Sequence, residues 1–185
     1  MELSSRIVGT VANNYDKLLY VFDRMVQSGD DDDTVNRADG FLKDLEDFEF
    51  VFMLLTYNQV LAETDVVFSI LQHRTADVVF CKARVNALLS FITEKTSEVS
   101  FCAIYEKAVD MTYDPAQNPR KRHRGPDPKE RYKGVYMAVL NKLIDQITTR
   151  FANIENQGFS STAQFSFISR NVSWIPFQLR HLTAC

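Results

Sequence analysis

The sequence predicts a mainly α-helical protein, with four to five long helices in an irregular bundle and a poorly structured C-terminal tail. Glycine and proline are scarce, with 6 Gly and 5 Pro among 185 residues, about half of their usual combined share of roughly 12%. Apolar residues make up 45% of the chain, and they recur every three to four residues over long stretches. This composition excludes a turn-rich β sandwich and intrinsic disorder. At this length a single domain is the default expectation.

The first predicted helix covers residues 7–26, whose apolar positions share one helical face. We expect Ser4 or Ser5 to cap its start and Gly29 to end it in a left-handed conformation. Four consecutive acids follow at positions 30–33. Calcium and magnesium sites need alternating ligands and a turn glycine, which this run lacks. We therefore interpret it as an exposed loop whose last acid caps the next helix.

The second predicted helix is an apolar run from residue 35 to about residue 74. Its middle, residues 48–61, is apolar on nearly every side, so we expect it to lie at the centre of the core. A third helix is expected to start after an N-cap within residues 75–77. The polar residues 94–100 should interrupt this helix before helical spacing resumes at Phe101.

The composition changes abruptly after residue 112. Four of the five prolines and a basic run fall within residues 113–128, which is typical of an exposed linker. The linker ends in Asp127, Pro128 and Glu130, a strong signal for the start of a helix. We therefore divide the chain into a helical body (1–112), a Pro-rich basic linker (113–128), a final amphipathic helix that packs on the body (129–156) and an irregular tail (157–185).

The tail has two interpretations. Alternation over residues 163–168 would suit a strand at the edge of a sheet, whereas the scattered aromatic residues suit a poorly ordered segment that docks only through its aromatic side chains. We favour the second interpretation.

The basic run is the one local sequence feature that suggests a binding role. Its residues are Arg120, Lys121, Arg122, His123 and Arg124. A Pro-bounded run of this kind is read by nuclear-import receptors or contacts phosphates, and the alternative is a solvated spacer between two helices. The whole chain has a net charge of −3, so any nucleic-acid contact would have to be local.

Catalytic signatures are absent from the sequence. There is no phosphate-binding glycine loop, no HExxH and no GxSxG. The three histidines, His73, His123 and His181, have no partner that the sequence places beside them. We expect no enzymatic activity, no cofactor, no metal and no small-molecule substrate.

Other chemically versatile residues have simpler structural interpretations. The carboxylate pairs at helical spacing, Glu46 with Glu49 and Asp44 with Asp47, are expected to form the wet face of a helix rather than a metal site. The cysteines are Cys81, Cys102 and Cys185, and they form neither a zinc set nor an even disulfide framework. We expect Cys81 and Cys102 to act as small buried apolar residues in a reducing compartment.

We also expect an intracellular protein without a membrane span. Polar residues interrupt the amino end before a signal peptide can form. The longest wholly apolar stretch, residues 50–55, is far too short to cross a bilayer.

Several stretches taken together resemble hAT-type transposases. They are Asn14-Tyr15 with Leu18-Leu19, residues 41–52 with Leu54-Leu55, and Arg131-Tyr132 with Leu140, Leu143-Ile144-Asp145 and Arg150-Phe151. More narrowly, they are similar to the transposon-derived proteins described as zinc finger MYM-type protein 1-like and as 52 kDa repressor of the inhibitor of the protein kinase. The match runs in order from about Ser4 to Glu155, and its specificity lies in that order.

The resemblance implies a helical insertion rather than a catalytic domain. In that family an RNase H-like fold holds divalent metal with an Asp, Asp, Glu triad, and a long all-helical segment interrupts it. The part that this chain resembles is that segment, and none of the three carboxylates falls on a position here. The resemblance therefore implies a noncatalytic fragment, most simply a nuclear module for protein–protein interaction or dimerisation. The alternative is a DNA-binding accessory domain that acts through the basic linker.

Overall fold

The computed structural model describes residues 2–29, 31–72, 77–115 and 127–151, and within these ranges it contains helices and no strand. The helices of this part of the chain are α1 (Glu2–Asn13), α2 (Tyr15–Ser28), α3 (Asp32–Glu46), α4 (Phe48–Gln72), α5 (Val78–Lys95), α6 (Glu98–Met111) and α7 (Pro128–Phe151). The predicted mainly α fold is confirmed, although seven helices stand where four or five were expected. The tail predicted at 157–185 lies outside the described residues.

The core surrounds α4, which contacts α1, α3, α5 and α6. Val51 and Phe52 on this helix are completely buried, and so is Thr56, whose hydroxyl donates to the Phe52 carbonyl oxygen at 2.8 Å. A helix that is enclosed by other helices has no solvent face that favours polar residues. The predicted central position of residues 48–61 is therefore confirmed.

Six buried aromatic rings join α4, α6 and α7. The ring centroids of Phe48 and Tyr132 are 4.8 Å apart, and those of Phe101 and Tyr136 are 5.8 Å apart. The rings meet mostly in tilted or edge-to-face arrangements, which keep the electron-rich ring faces from overlapping. The set consists of Phe48, Phe52, Phe101, Tyr105, Tyr132 and Tyr136. This aromatic cluster fixes α7 against the rest of the protein.

The single helix predicted over residues 7–26 is wrong, because the structure breaks it at Asn14 into α1 and α2. The Asn14 side-chain amide donates to the Thr10 carbonyl oxygen at 2.9 Å. An asparagine that bonds to nearby backbone in this way competes with helix continuation. The expected caps Ser4 and Ser5 are also wrong, because α1 already begins at Glu2. As a result, α1 packs along α4 whereas α2 packs along α3.

The second predicted helix, over residues 35–74, is likewise divided, in this case at Asp47. The backbone of Asp47 is extended (φ −76°, ψ 126°), and its side chain accepts a hydrogen bond from the Phe50 amide at 3.2 Å. Asp47 therefore ends α3 and caps α4. The apolar periodicity continues across this one-residue junction, so periodicity alone did not reveal it.

The loop between α2 and α3 follows the expected chemistry with one correction. Gly29 has φ 66° and ends α2 in the left-handed conformation, as predicted. The acid that caps α3 is Asp31, not the predicted Asp33, which lies in the first turn. Asp31 accepts hydrogen bonds from the Thr34 amide and hydroxyl at 3.1 and 2.9 Å, and these bonds lower the pKa of its carboxyl group.

The later helix boundaries agree with the sequence signals. α5 ends at Lys95 and α6 begins after Ser97, whose hydroxyl oxygen accepts from the Ser100 amide at 3.3 Å. At the start of α7 the Asp127 carboxylate accepts from the Lys129 amide at 3.3 Å. The break predicted within 94–100 and the helix start predicted at residues 127–130 are thus confirmed. Asp77 precedes α5, but its side chain makes no capping hydrogen bond.

The helix directions define two ends of the bundle. α4 and α7 run in the same direction where their aromatic side chains meet, because Phe48 lies near Tyr132 and Phe52 lies near Tyr136. α5 runs the opposite way, since its last residue accepts a hydrogen bond from the Tyr136 hydroxyl at 2.8 Å. The last turns of α4 and α7 and the first turn of α5 therefore lie together, and we call this the distal end. Leu71, Cys81 and Ile147, which lie in or near these turns, are buried.

Candidate docking surface

Helices α2 and α3 form an antiparallel hairpin at one side of the bundle. Each packs mainly against the other, and their remaining contacts are chiefly with the helices next to them in the chain, α1 and α4. The base of the hairpin is fixed by Tyr15, which is buried and donates a hydrogen bond from its hydroxyl to the Leu45 carbonyl oxygen at 2.7 Å. Burial raises the pKa of this hydroxyl, so it remains a donor over the physiological pH range.

The hairpin exposes apolar side chains on one of its sides. Met25 lies one turn after both Val21 and Phe22 on α2, and the Phe22 ring lies 5.3 Å from the ring of Phe41 on α3. Phe41 is 54% exposed and Val21 is 47% exposed, whereas Phe22 is half-buried and also packs on the core. We call these four residues the hairpin patch. Apolar side chains that are contiguous across two helices are typical of a docking surface.

The charge around the hairpin patch is strongly negative. Residues 15–46 contain nine acidic and four basic residues, a net charge of −5. Two of the four basic side chains already pair within α3, Arg37 with Asp33 at 3.0 Å and Lys43 with Asp39 at 2.5 Å. By contrast, residues 120–150 contain nine basic and three acidic residues, a net charge of +6. The chain therefore carries two regions of opposite charge.

The predicted contact residues Arg120, Lys121, Arg122, His123 and Arg124 lie outside the described residues. The structure does describe the chain on both sides of them. On one side, the Tyr113 hydroxyl donates to the Asp47 carboxylate at 3.4 Å, and on the other, Arg131 pairs with Glu49 at 3.1 Å. Both ends of the linker are thus attached to the start of α4.

Three of the four carboxylates in the predicted pairs face solvent, but the four do not form the wet face of one helix, because they are divided between α3, α4 and the junction at Asp47. Asp44, Glu46 and Glu49 are exposed, and Asp47 acts as a helix cap. No group of three or more potential metal-ligating side chains occurs within the described ranges. The structure therefore gives these carboxylates a role in solvation and capping.

Cys81 is buried, in agreement with its interpretation as a small apolar residue. Burial raises the pKa of its thiol, and the Asp77 carboxylate adds to this effect. Cys102 is only half-buried, with its sulfur 3.9 Å from the Glu98 carboxylate. The remaining residues considered above for chemistry, His73, His123, His181 and Cys185, lie outside the described part of the chain.

The hairpin patch is not evident from apolar periodicity. The periodicity of residues 7–26 predicts one apolar helical face, although Val21 and Met25 widen the apolar stripe of α2 beyond what a single neighbouring helix covers. The width of that stripe was the available signal.

Among the described helices, none is long and apolar enough to cross a membrane.

Comparison with known proteins adds no relative. No protein-family model matches the chain, and no curated protein or solved structure matches it.

Proposed function

We propose that this protein is a noncatalytic helical module that binds protein partners, including a second copy of itself, through the hairpin patch. The observation that carries this proposal is the exposure of Val21, Met25 and Phe41 on a hairpin whose two helices pack mainly against each other and make few contacts with the rest of the described protein. Covering such side chains releases ordered water and contributes roughly 25 cal/mol for each Å² of apolar surface removed from solvent.

A second copy is a suitable partner because the chain carries its own electrostatic complement. The acidic region 15–46 surrounds the hairpin patch, and the basic region 120–150 belongs to the same polypeptide. Complementary charge speeds encounter and selects orientation, while apolar contact supplies most of the affinity. A contact between unlike regions is heterologous, so repeated addition of copies would build larger species.

The resemblance to the helical insertion of hAT-type transposases supports the same proposal. The stretches that carry it include Asn14-Tyr15 at the base of the hairpin, Phe41 in the patch and residues 42–55. Two-metal strand transfer needs carboxylates that converge on a rigid scaffold. We therefore propose that the chain has no transposase activity, and Mg²⁺- or Mn²⁺-dependent cleavage or joining of DNA by the pure protein would contradict this.

The basic run 120–124 supports a nuclear location for the module. Asp47, Glu49 and Asp127 are all close to the ends of the linker, and carboxylates in such positions repel phosphates. We therefore favour recognition by an import receptor over DNA binding. A fluorescent fusion of the chain should accumulate in nuclei. Replacement of Arg120, Lys121, Arg122 and Arg124 by Ala should abolish this nuclear accumulation. Steeply salt-dependent DNA binding that disappears in the same variant would favour the DNA-binding alternative.

The association is tested by light scattering on a sizing column over a range of protein concentrations. We expect the mass of the wild-type chain to rise with concentration, and the triple variant Val21→Ser/Met25→Ser/Phe41→Ser to remain monomeric. Val99→Ser is the matched control, because Val99 is also highly exposed but lies on α6. High salt should weaken the association by screening the charged regions. A wild-type chain that is strictly monomeric at high concentration would contradict self-association.

A further inference from the structure

The hairpin continues a longer pair of antiparallel helices. α1 packs along α4 as α2 packs along α3, and the Ser5 hydroxyl near the start of α1 bonds to the Asp65 carboxylate on α4. Further along α1, a Cβ atom added to Gly9 would lie 3.5 Å from the side-chain oxygen of Asn58. Since the partner numbers fall as the α1 numbers rise, α1 and α4 are antiparallel. The α1–α4 pair and the hairpin are therefore two halves of one elongated helical pair.

The two halves meet where both helices are interrupted. One interruption is at Asn14, between α1 and α2, and the other is at Asp47, between α3 and α4. They lie at the same level, because the hydroxyl of Tyr15 bonds to the carbonyl oxygen of Leu45 at 2.7 Å. Two single-residue junctions side by side form a hinge, since a few backbone torsion angles absorb the whole movement. Within the described ranges α2 and α3 make few contacts beyond α1 and α4, so little packing opposes a turn.

The end of α6 holds this hinge from outside. The Tyr113 hydroxyl donates to the Asp47 carboxylate at 3.4 Å, and the Tyr113 ring lies 6.4 Å from the ring of Phe48, the first residue of α4. The Met111 carbonyl oxygen lies 3.4 Å from the Tyr15 hydroxyl on α2. One short segment thus contacts both junctions of the hinge. Tyr113 is partly exposed and does not belong to the buried core, so its contact can open without unpacking the core.

We propose that the hairpin turns as one body about Asn14 and Asp47, and that Tyr113 latches it in the orientation that the structure shows. The breaks at the two junctions and the contact from α6 carry this inference together. Turning reorients the hairpin patch relative to the bundle, so the latch regulates how this surface meets a partner. That consequence rests on the function proposed for the hairpin patch, whereas the movement itself does not.

Single-molecule fluorescence energy transfer measures the movement directly. One dye is attached at Ser28→Cys, at the tip of the hairpin, and the other at Ser90→Cys, an exposed position on α5, in a chain whose three native cysteines are replaced by Ala. The hairpin is about 22 Å long, so turning at its base displaces the tip by several ångströms. We expect one main population in this parent chain and a second population in Tyr113→Ala. Loss of one hydrogen bond should raise the ratio of turned to latched molecules about fivefold.

Tyr20→Ala is the matched control, because Tyr20 is 65% exposed on α2 and lies more than one turn beyond the hinge. It should leave the distribution unchanged. Tyr113→Phe keeps the ring and loses only the hydroxyl, so it should raise the second population less than Tyr113→Ala does. It also decides the question if Tyr113→Ala loses its helical circular dichroism.

The latch is overturned if the folded Tyr113 variants give the distribution of the parent chain, or if Tyr20→Ala produces the same second population. These measurements are made on isolated molecules, so their result does not depend on self-association. A wild-type chain that stays monomeric at high concentration would contradict the proposed function and leave the measured movement intact. The two proposals therefore fail separately.

Discussion

The hairpin and the bundle have similar apolar periodicity but different surroundings. In the bundle, α4 is enclosed by neighbouring helices, and Phe48 and Phe52 are almost completely buried. In the hairpin, α2 has one main neighbour, and Phe41 beside it remains half exposed. An apolar stripe therefore becomes core only where enough helices surround it. In the hairpin the same kind of stripe is left as a surface that is available for binding.

The largest difference between the two regions should appear when a phenylalanine is truncated. Phe52→Ala removes a fully buried ring from the aromatic cluster and should lower the free energy of unfolding by about 3–5 kcal/mol. Phe41→Ala in the hairpin patch should change it by no more than about 0.5 kcal/mol, as is usual for exposed positions. Urea unfolding followed by circular dichroism measures both values under identical conditions.

Low protein concentration is the control condition for comparing Phe52→Ala with Phe41→Ala. Measured at low protein concentration, the Phe41→Ala value is free of any contribution from association. If Phe41→Ala destabilised the chain as much as Phe52→Ala, the hairpin would be part of the core, and the distinction between the regions would be lost.

A second difference should appear at alkaline pH. Burial raises the pKa of Tyr136 to about 12, and burial together with Asp114 and Asp127 raises that of Tyr105 to about 12. Both groups favour the neutral form in the folded bundle, so their contribution to stability is present below pH 10 and is lost as the pH rises from 10 through 12. Tyrosinate absorbance and circular dichroism during a pH titration should change together in this range.

Tyr136→Phe tests the assignment of this alkaline transition. Since the variant removes one of the two tyrosines whose pKa is raised to about 12, its stability should depend less steeply on pH between 10 and 12. The same variant also loses the hydrogen bond to the Lys95 carbonyl oxygen, which should cost about 1 kcal/mol at neutral pH. An unchanged slope would show that Tyr136 does not titrate with unfolding.

The parts of this structure that were predictable are those set by local chemistry. Asp127 and Pro128 mark the start of α7, Gly29 ends α2, and the apolar middle of α4 indicates its central position. The breaks at Asn14 and Asp47 were not predictable from periodicity, because a junction of one residue barely shifts the phase of an apolar pattern. Such short breaks depend on which side-chain hydrogen bonds form in the folded chain.

The candidate site was less predictable than the fold. Periodicity predicts that a side of α2 is apolar, but it does not show how many helices will cover that side. Val21 and Phe41 stay exposed because α2 and α3 pack mainly against each other and few other helices contact them. Tertiary arrangement of this kind is not encoded in any short stretch of sequence.

Removal of a single hydrogen bond at the base of the hairpin should have a smaller effect on stability. Tyr15→Phe removes the hydroxyl that bonds to the Leu45 carbonyl oxygen at the base of the hairpin, and it should cost about 0.5–1.5 kcal/mol. We expect hydrogen exchange to speed up in α2 and α3 but not in α4. Tyr20→Phe is the control, because the Tyr20 side chain is mostly exposed on α2. Equal exchange rates in Tyr15→Phe and wild type would show that the hydroxyl does not fix the hairpin.

Ion pairs should give the smallest effect and should not distinguish the regions. Arg131 joins α7 to Glu49 on α4, and Lys43 pairs with Asp39 within the hairpin, with all four side chains substantially exposed. A double-mutant cycle on each pair should give a coupling of about 0.2–1 kcal/mol that decreases with salt. Since couplings of this size are similar in both regions, the contrast between bundle and hairpin must come from apolar burial. A coupling between Arg131 and Glu49 well above this range would mean instead that charge contributes materially to the attachment of α7.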